Sequence, residues 1–205
     1  TDPSQPHTAV TRAYQLRIIS DEEYRTLLQG QTTAEELRQQ YESWAEQLRE
    51  LAEAQRQVAE ELAALRAQVA QGQPLDLAQQ ARLADLEAKQ EALAREARQL
   101  AQEMEQEAAS AAVFDVERDF RKRLGGLAQR VAQAAGHMQQ GAQAMEEGGK
   151  SAGGPDRLAA LDRGQQHQQD ALRELGESAG RYEQEVGAAS QEIEEMFALF
   201  ADVEQ

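Results

Sequence analysis

The sequence predicts an all-α protein, an elongated antiparallel coiled coil. One long central helix is flanked by two antiparallel helices, and one short strand stands at the N-terminus. Three observations lead there. Ala, Gln, Glu, Leu and Arg dominate a 205-residue chain in which only 4% of residues are aromatic, a bias toward long helices rather than a thick globular core. Apolar residues recur at alternating four- and three-residue steps over most of the length, the heptad signature. Prolines stand only at positions 3, 6, 74 and 155, so long stretches contain no helix breaker.

Residues 1–12 read as an irregular lead-in. In "AYQLRII" (13–19), Tyr14, Leu16 and Ile18 alternate with Gln15 and Arg17, the period of a half-buried strand. Ser20 and Glu23 form a capping box for a short helix ending near Leu28, with Gly30 as its stop. A second capping box, Thr33 to Glu36, opens a helix over about 34–71. Its seam is Leu37, Tyr41, Trp44, Leu48, Leu51, Gln55, Val58, Leu62, Leu65 and Val69.

"GQP" at 72–74 breaks that helix, and Asp76 caps the next. The second seam is Leu83, Leu86, Gln90, Leu93, Ala97, Leu100 and Met104. So short a connection implies an antiparallel hairpin. Folding about 73–74 brings Gln55 near Gln90–Leu93, so the two glutamines should share one layer and select register at some cost in stability.

No proline or turn cluster separates this helix from "VFDVERDFRKRL". The stripe resumes with Phe120, Leu124, Leu127, Val131, Ala134, Met138 and Met145, after a slip of phase such as a stutter produces. Gly125-Gly126 is a candidate kink. The reading is one central helix over about 76–147, roughly 110 Å long. "GGKSAGGP" (148–155) is a loop. The last seam is Leu158, Leu161, Gln165, Gln168, Leu172, Leu175, Ala179, Tyr182, Val186, Ala189, Ile193, Met196, Phe200 and Val203.

Charge supports folding this last helix onto the second half of the central one. Residues 113–150 hold five acids against six bases, and residues 151–205 hold twelve acids against four bases. The cluster Arg118, Arg121, Lys122 and Arg123 should therefore lie beside Glu183 and Glu185. The two return arms should meet end to end near 104–112. The organisation that follows is an N-terminal extended segment, strand and short helix (1–32), a first helical hairpin (33–112) and a second one (113–205) sharing the central helix.

Composition also limits function. A net charge of −16 opposes a phosphate backbone and an anionic membrane surface. The absence of cysteine removes disulfides, thiolate ligands and a Cys nucleophile. No run of 18 apolar residues is present, so no direct membrane insertion by this segment is expected. No signal peptide is visible, and "TDPSQPHTAV" opens the chain as a mature form or an excised domain would.

Local motifs point to no chemistry. Gly149-Lys150-Ser151 resembles the end of a phosphate-binding loop, but Ala144 stands where that loop needs glycine, and a helix precedes it rather than a strand. His137 and His167 lie at similar distances from the turn near 152, yet the heptad puts one beside the seam and the other on an outward face. Two imidazoles without a third placed ligand read as solvated surface histidines, with no metal and no cofactor. Glu146-Glu147 and Glu194-Glu195 read as hydrated carboxylates without the sheltered pocket that acid–base work needs. The basic cluster at 118–123 lacks interleaved aromatics and faces an acidic helix, so nucleic acid is not the expected partner. In "MFALFADV", Phe197 and Leu199 together with Phe200 make the last helix apolar on more than one face. That fits either a packed helix end or an exposed contact site.

A lone strand cannot satisfy its own ladder, so "AYQLRII" should pair with a preceding β-domain or a partner's sheet edge, or lie extended along the rod. The join "YQLRIISDEEYRTLL" resembles a segment of large, uncharacterised, membrane-anchored bacterial envelope proteins. In these a β-sandwich strand ending in Val/Ile-Ser-x-Glu-Glu leads into long Gln/Glu/Arg-rich helices. The matching residues are Arg17, Ile18, Ile19, Ser20, Glu22 and Glu23, and the likeness covers the first third of the chain. It implies an extracytoplasmic, periplasmic module of a larger protein and brings no catalytic residues. Without it a cytoplasmic protein is the alternative.

The functional expectation is a non-enzymatic coiled-coil module, acting as a rod-like spacer or helix-binding scaffold. Its partners would be proteins: a second copy of itself in a homo-oligomer, or the rest of a larger envelope protein. The interaction candidates are Tyr14, Leu16, Ile18, Phe197, Leu199 and Phe200. The alternative is a self-assembling envelope or filament subunit that donates its N-terminal strand. An enzyme would need a pocket of convergent polar groups, for which continuous heptads leave no room.

Overall fold

A computed structural model of the chain describes residues 21–110 and 115–201, with side chains described for 39–110, 121–185 and Gly187. Four helices fill it: α1 (Asp21–Ala70), α2 (Leu77–Ala109), α3 (Asp115–Lys150) and α4 (Gly154–Ala201). The strand proposed for 13–19 lies outside the described residues. α1 runs through Gly30 and Thr33 without a stop, so the two-helix reading of 20–71 is corrected to one helix. A single glycine costs a helix only about 1 kcal/mol, which the flanking helix formers offset.

The connection after α1 matches its residues. Gly72 has φ of 79°, Gly72 N–H donates to Val69 C=O at 3.0 Å, and Gln73 N–H donates to Gln68 C=O at 3.4 Å. This is a Schellman stop, and it favours glycine at the left-handed position. Asp76 then caps α2 reciprocally. Its carboxylate accepts from Gln79 N–H at 2.8 Å, and its own N–H donates to Gln79 Oε1 at 2.9 Å.

The main correction concerns the central helix. Instead of one spine over 76–147, α2 ends at Ala109 and α3 begins at Asp115, and the two lie side by side. Pairs along their interface step in opposite directions: Gly149 lies near Leu83, Arg98 bonds Gln139, and Arg121 bonds Glu107. The α2 terminus is satisfied locally and from α3. Ser110 donates to the Glu107 carbonyl from its N–H at 3.1 Å and its hydroxyl at 2.8 Å. Arg121 places its guanidinium 3.3 Å from the same carbonyl and 2.9 Å from the Glu107 carboxylate, a cation at the negative end of a helix. α3 passes unbroken through Gly125-Gly126 and reaches Lys150, leaving only 151–153 as connection, with Pro155 in the first turn of α4.

Because the spine folds back, α1 and α4 do not meet end to end. They pack along each other, with Arg49 paired to Glu183, Arg66 to Asp162, and the buried Tyr182 hydroxyl donating to the Tyr41 carbonyl at 3.0 Å. The result is a bundle in which each helix packs against two neighbours. α1 and α4, at 50 and 48 residues, outlast α2 and α3, at 33 and 36.

The core follows the seams closely. Tyr41, Trp44, Leu48, Leu51, Gln55, Val58, Leu62, Leu65 and Val69 are all buried on α1, and the whole expected α2 seam is buried with Ala94 and Ala101 beside it. Each fully buried leucine contributes about 1.5–3 kcal/mol. α4 departs from its forecast. Gln165, Leu172 and Ala179 are only half-buried, whereas Gly164, Ala171 and Ser178 are buried beside Leu161, Gln168, Leu175 and Tyr182. A helix facing two neighbours turns its small residues to the closest approach. A Cβ on Gly141 would lie 3.7 Å from the Gly164 carbonyl, and one on Gly148 only 3.1 Å from Leu161 Cδ2.

Candidate functional site

Three features rise above ordinary packing. The first is a polar layer in the core. Gln55 of α1, Gln90 of α2 and Gln168 of α4 are each fully buried. Gln90 Nε2 donates to Gln55 Oε1 at 2.7 Å, and Gln168 Nε2 donates to Gln90 Oε1 at 3.5 Å. The Gln55–Gln90 pairing is the one the seams foretold. Gln168 joins it only because α4 packs on α1 rather than at the far end of a rod. Gln55 Nε2 and Gln168 Oε1 have no hydrogen-bond partner among the described residues. Unmet buried amide groups cost stability, so such a layer specifies register more than it stabilises.

The second feature is a groove of about 300 Å³ between α1 and α2, the pair of adjacent helices that touch least. Leu51, Leu93 and Leu100 form its floor, and Glu50, Glu96 and Glu103 stand at its rim. No described helix is long and apolar enough to cross a membrane.

The third feature is a histidine pair, which corrects the expectation of solvated surface histidines. His137 on α3 and His167 on α4 are half-buried, with ring centroids 6.1 Å apart and planes 28° apart. The close passage at Gly141 and Gly164 sets this meeting, since a Cβ on Gly141 would lie 3.7 Å from the His167 Cβ. Asp170, one turn beyond His167, joins them, and one donor atom from each of the three lies within 4.8 Å of the others. Both Nδ1 atoms are buried without a hydrogen-bond partner among the described residues. Burial, then the neighbouring His137 and Arg163, hold the His167 pKa below its ordinary value against the opposing pull of Asp170.

No protein-family model, curated protein or solved structure matches this chain significantly. Its residues therefore carry the functional reading alone. Tyr14, Leu16 and Ile18 lie outside the described residues. Phe197, Leu199 and Phe200 fall on α4, with side chains outside the described set. Of the basic cluster, Arg123 does meet Glu185, while Glu183 goes to Arg49 and Arg121 to Glu107. Glu146 pairs with Lys150 and Glu147 with Arg163, and the Glu146 hydrogen bond raises the Lys150 pKa. The segment resembling a phosphate-binding loop is a helix end. Ser151 Oγ donates to the Glu147 carbonyl at 2.8 Å, and Arg157 caps the carbonyls of Gly148 and Ser151 at 3.0 and 2.6 Å.

Sequence reasoning missed the third ligand-bearing residue, Asp170. The signal was present: Asp170 lies three residues after His167, which puts both on one helical face. Its meeting with His137 needed the α3–α4 register.

Proposed function

We propose that this chain is a non-enzymatic helical interaction module whose α1–α2 groove receives a basic amphipathic helix from a partner protein. The observation that carries this reading is the groove itself, a leucine floor between two helices, edged by Glu50, Glu96 and Glu103. Leucines on the incoming helix at i, i+3/i+4 and i+7 would cover the floor, and Lys or Arg beside them would meet the rim carboxylates. The likeness around Arg17–Glu23 supports reading this module as part of a larger extracytoplasmic envelope protein.

The test is a titration with a synthetic helix carrying that leucine stripe and lysine flanks, followed by calorimetry and amide chemical shifts. Saturable binding should shift resonances in 47–54 and 93–103. Reversing the rim in a Glu50→Lys, Glu96→Lys, Glu103→Lys variant should weaken it at least tenfold. Absence of binding, or binding indifferent to the reversal, overturns the reading.

A further inference from the structure

We propose that His137, His167 and Asp170 bind one divalent transition-metal ion of the zinc, cobalt, nickel and copper group, joining α3 to α4. This inference is independent of the groove. The donor set is two imidazoles and one carboxylate, drawn from facing helices, with the α4 pair spaced to share one face. Imidazole selects these ions over magnesium or calcium.

The spacing suits the chemistry. A tetrahedral zinc sphere has ligand atoms about 3.3 Å apart at zinc–nitrogen distances near 2.0–2.1 Å. The three donors lie within 4.8 Å of one another before any ion draws them in, and half-buried side chains have room for that adjustment. Three protein ligands leave a fourth position for water or an external donor.

A further observation points to a ligand. Each ring holds a buried Nδ1 with no hydrogen-bond partner among the described residues, a state that usually costs free energy and that metal coordination relieves.

The charged neighbours do not block the site. Arg173 lies 3.3 Å from Asp170 Oδ1 but is also near Glu174. Arg163 is paired with Glu147. Gln166 reaches Asp170 Oδ2 only at 3.4 Å. The Asp170 carboxylate is thus loosely held and keeps acceptor capacity for a cation.

The test uses the full chain with Co²⁺ and then Zn²⁺. One equivalent of Co²⁺ should give ligand-field absorption that Zn²⁺ abolishes by displacement and that excess Mg²⁺ leaves unchanged. Zn²⁺ should raise Tm. His137→Ala and His167→Ala should each weaken affinity at least tenfold, and Asp170→Asn should weaken it less. His7→Ala, which removes the one other histidine, should change nothing. Failure to bind one equivalent at micromolar protein overturns the proposal, as does undiminished binding in the His137→Ala/His167→Ala double variant. Paramagnetic broadening by Co²⁺ in the unmutated protein is independent of how the variants fold. Confinement to residues around 137 and 167–170 supports the site, and broadening centred elsewhere overturns it.

Discussion

Arg121 of α3 and Glu107 of α2 form a largely buried ion pair between their helices, with the guanidinium 2.9 Å from the carboxylate. The same guanidinium reaches the Glu107 carbonyl, so one side chain both neutralises a buried acid and ends α2. Removing it leaves the Glu107 carboxylate without its cation in a place water reaches poorly, although the Glu107 carbonyl keeps its two bonds from Ser110. Arg121→Met should therefore destabilise the protein by about 2–3 kcal/mol. Arg123→Met, which loses the more exposed pair with Glu185, should cost about 0.2–1 kcal/mol. Urea midpoints of the two variants check the contrast, and equal midpoints would deny Arg121 its role.

The glutamine layer predicts effects of opposite sign. Gln90→Leu alone leaves Gln55 without its 2.7 Å donor and should lower stability by about 1–3 kcal/mol. Replacing Gln55, Gln90 and Gln168 together by Leu removes every unmet amide and should raise stability above that of the parent. Chemical denaturation measures both, and size-exclusion chromatography should reveal looser association in the triple variant once its register marker is gone.

Glycines separate into two groups. A Cβ on Gly176 meets nothing within 4 Å, whereas one on Gly148 would sit 3.1 Å from Leu161 Cδ2. Gly176→Ala should stabilise the protein by about 0.4–1 kcal/mol, because it removes unfolded-state freedom at an unstrained helical site. Gly148→Ala should gain nothing, and Gly148→Val should destabilise it by about 1–3 kcal/mol through overpacking. Thermal unfolding of the three variants provides the comparison.

Stability should fall as pH drops below neutrality because of His167. Its folded pKa lies below the ordinary 6.5, so across that window the unfolded chain binds more protons than the folded one. Folding is favoured above 6.5, and the advantage shrinks as pH falls toward the folded value. Glu87 acts in the other direction, since burial first and Glu146 and Glu91 next raise its pKa above 4.5. The difference between parent and His167→Gln isolates the histidine. Urea midpoints at pH 7 and pH 5 should converge between the two proteins at the lower pH if His167 is responsible. A constant gap would rule it out.

Much of this architecture is legible in the residues. Heptad spacing names nearly all of the described buried face of α1, from Tyr41 on, and of α2, because burial of Leu, Val and aromatic side chains is a local property of helical periodicity. Gly72, Pro74 and Asp76 announce their turn through their own local preferences. The Gln55–Gln90 layer follows from counting residues about that turn.

Other features required the assembled bundle. Nothing in "EMEQEAASAAVFDVERDF" breaks a helix by itself, and α2 stops at Ala109 with the Glu107 carbonyl and carboxylate held by Arg121, which arrives from the next helix. The burial of Gly164, Ala171 and Ser178 in place of Gln165, Leu172 and Ala179 depends on α4 facing α1 and α3 at once. The cluster of His137, His167 and Asp170 depends on how closely two glycine-bearing helices approach. Periodicity decides which face of each helix leaves water, since that is a property of one segment. Which helices share a boundary, and which polar groups meet there, is a long-range choice among several ways of burying the same stripes, and only tertiary packing makes it.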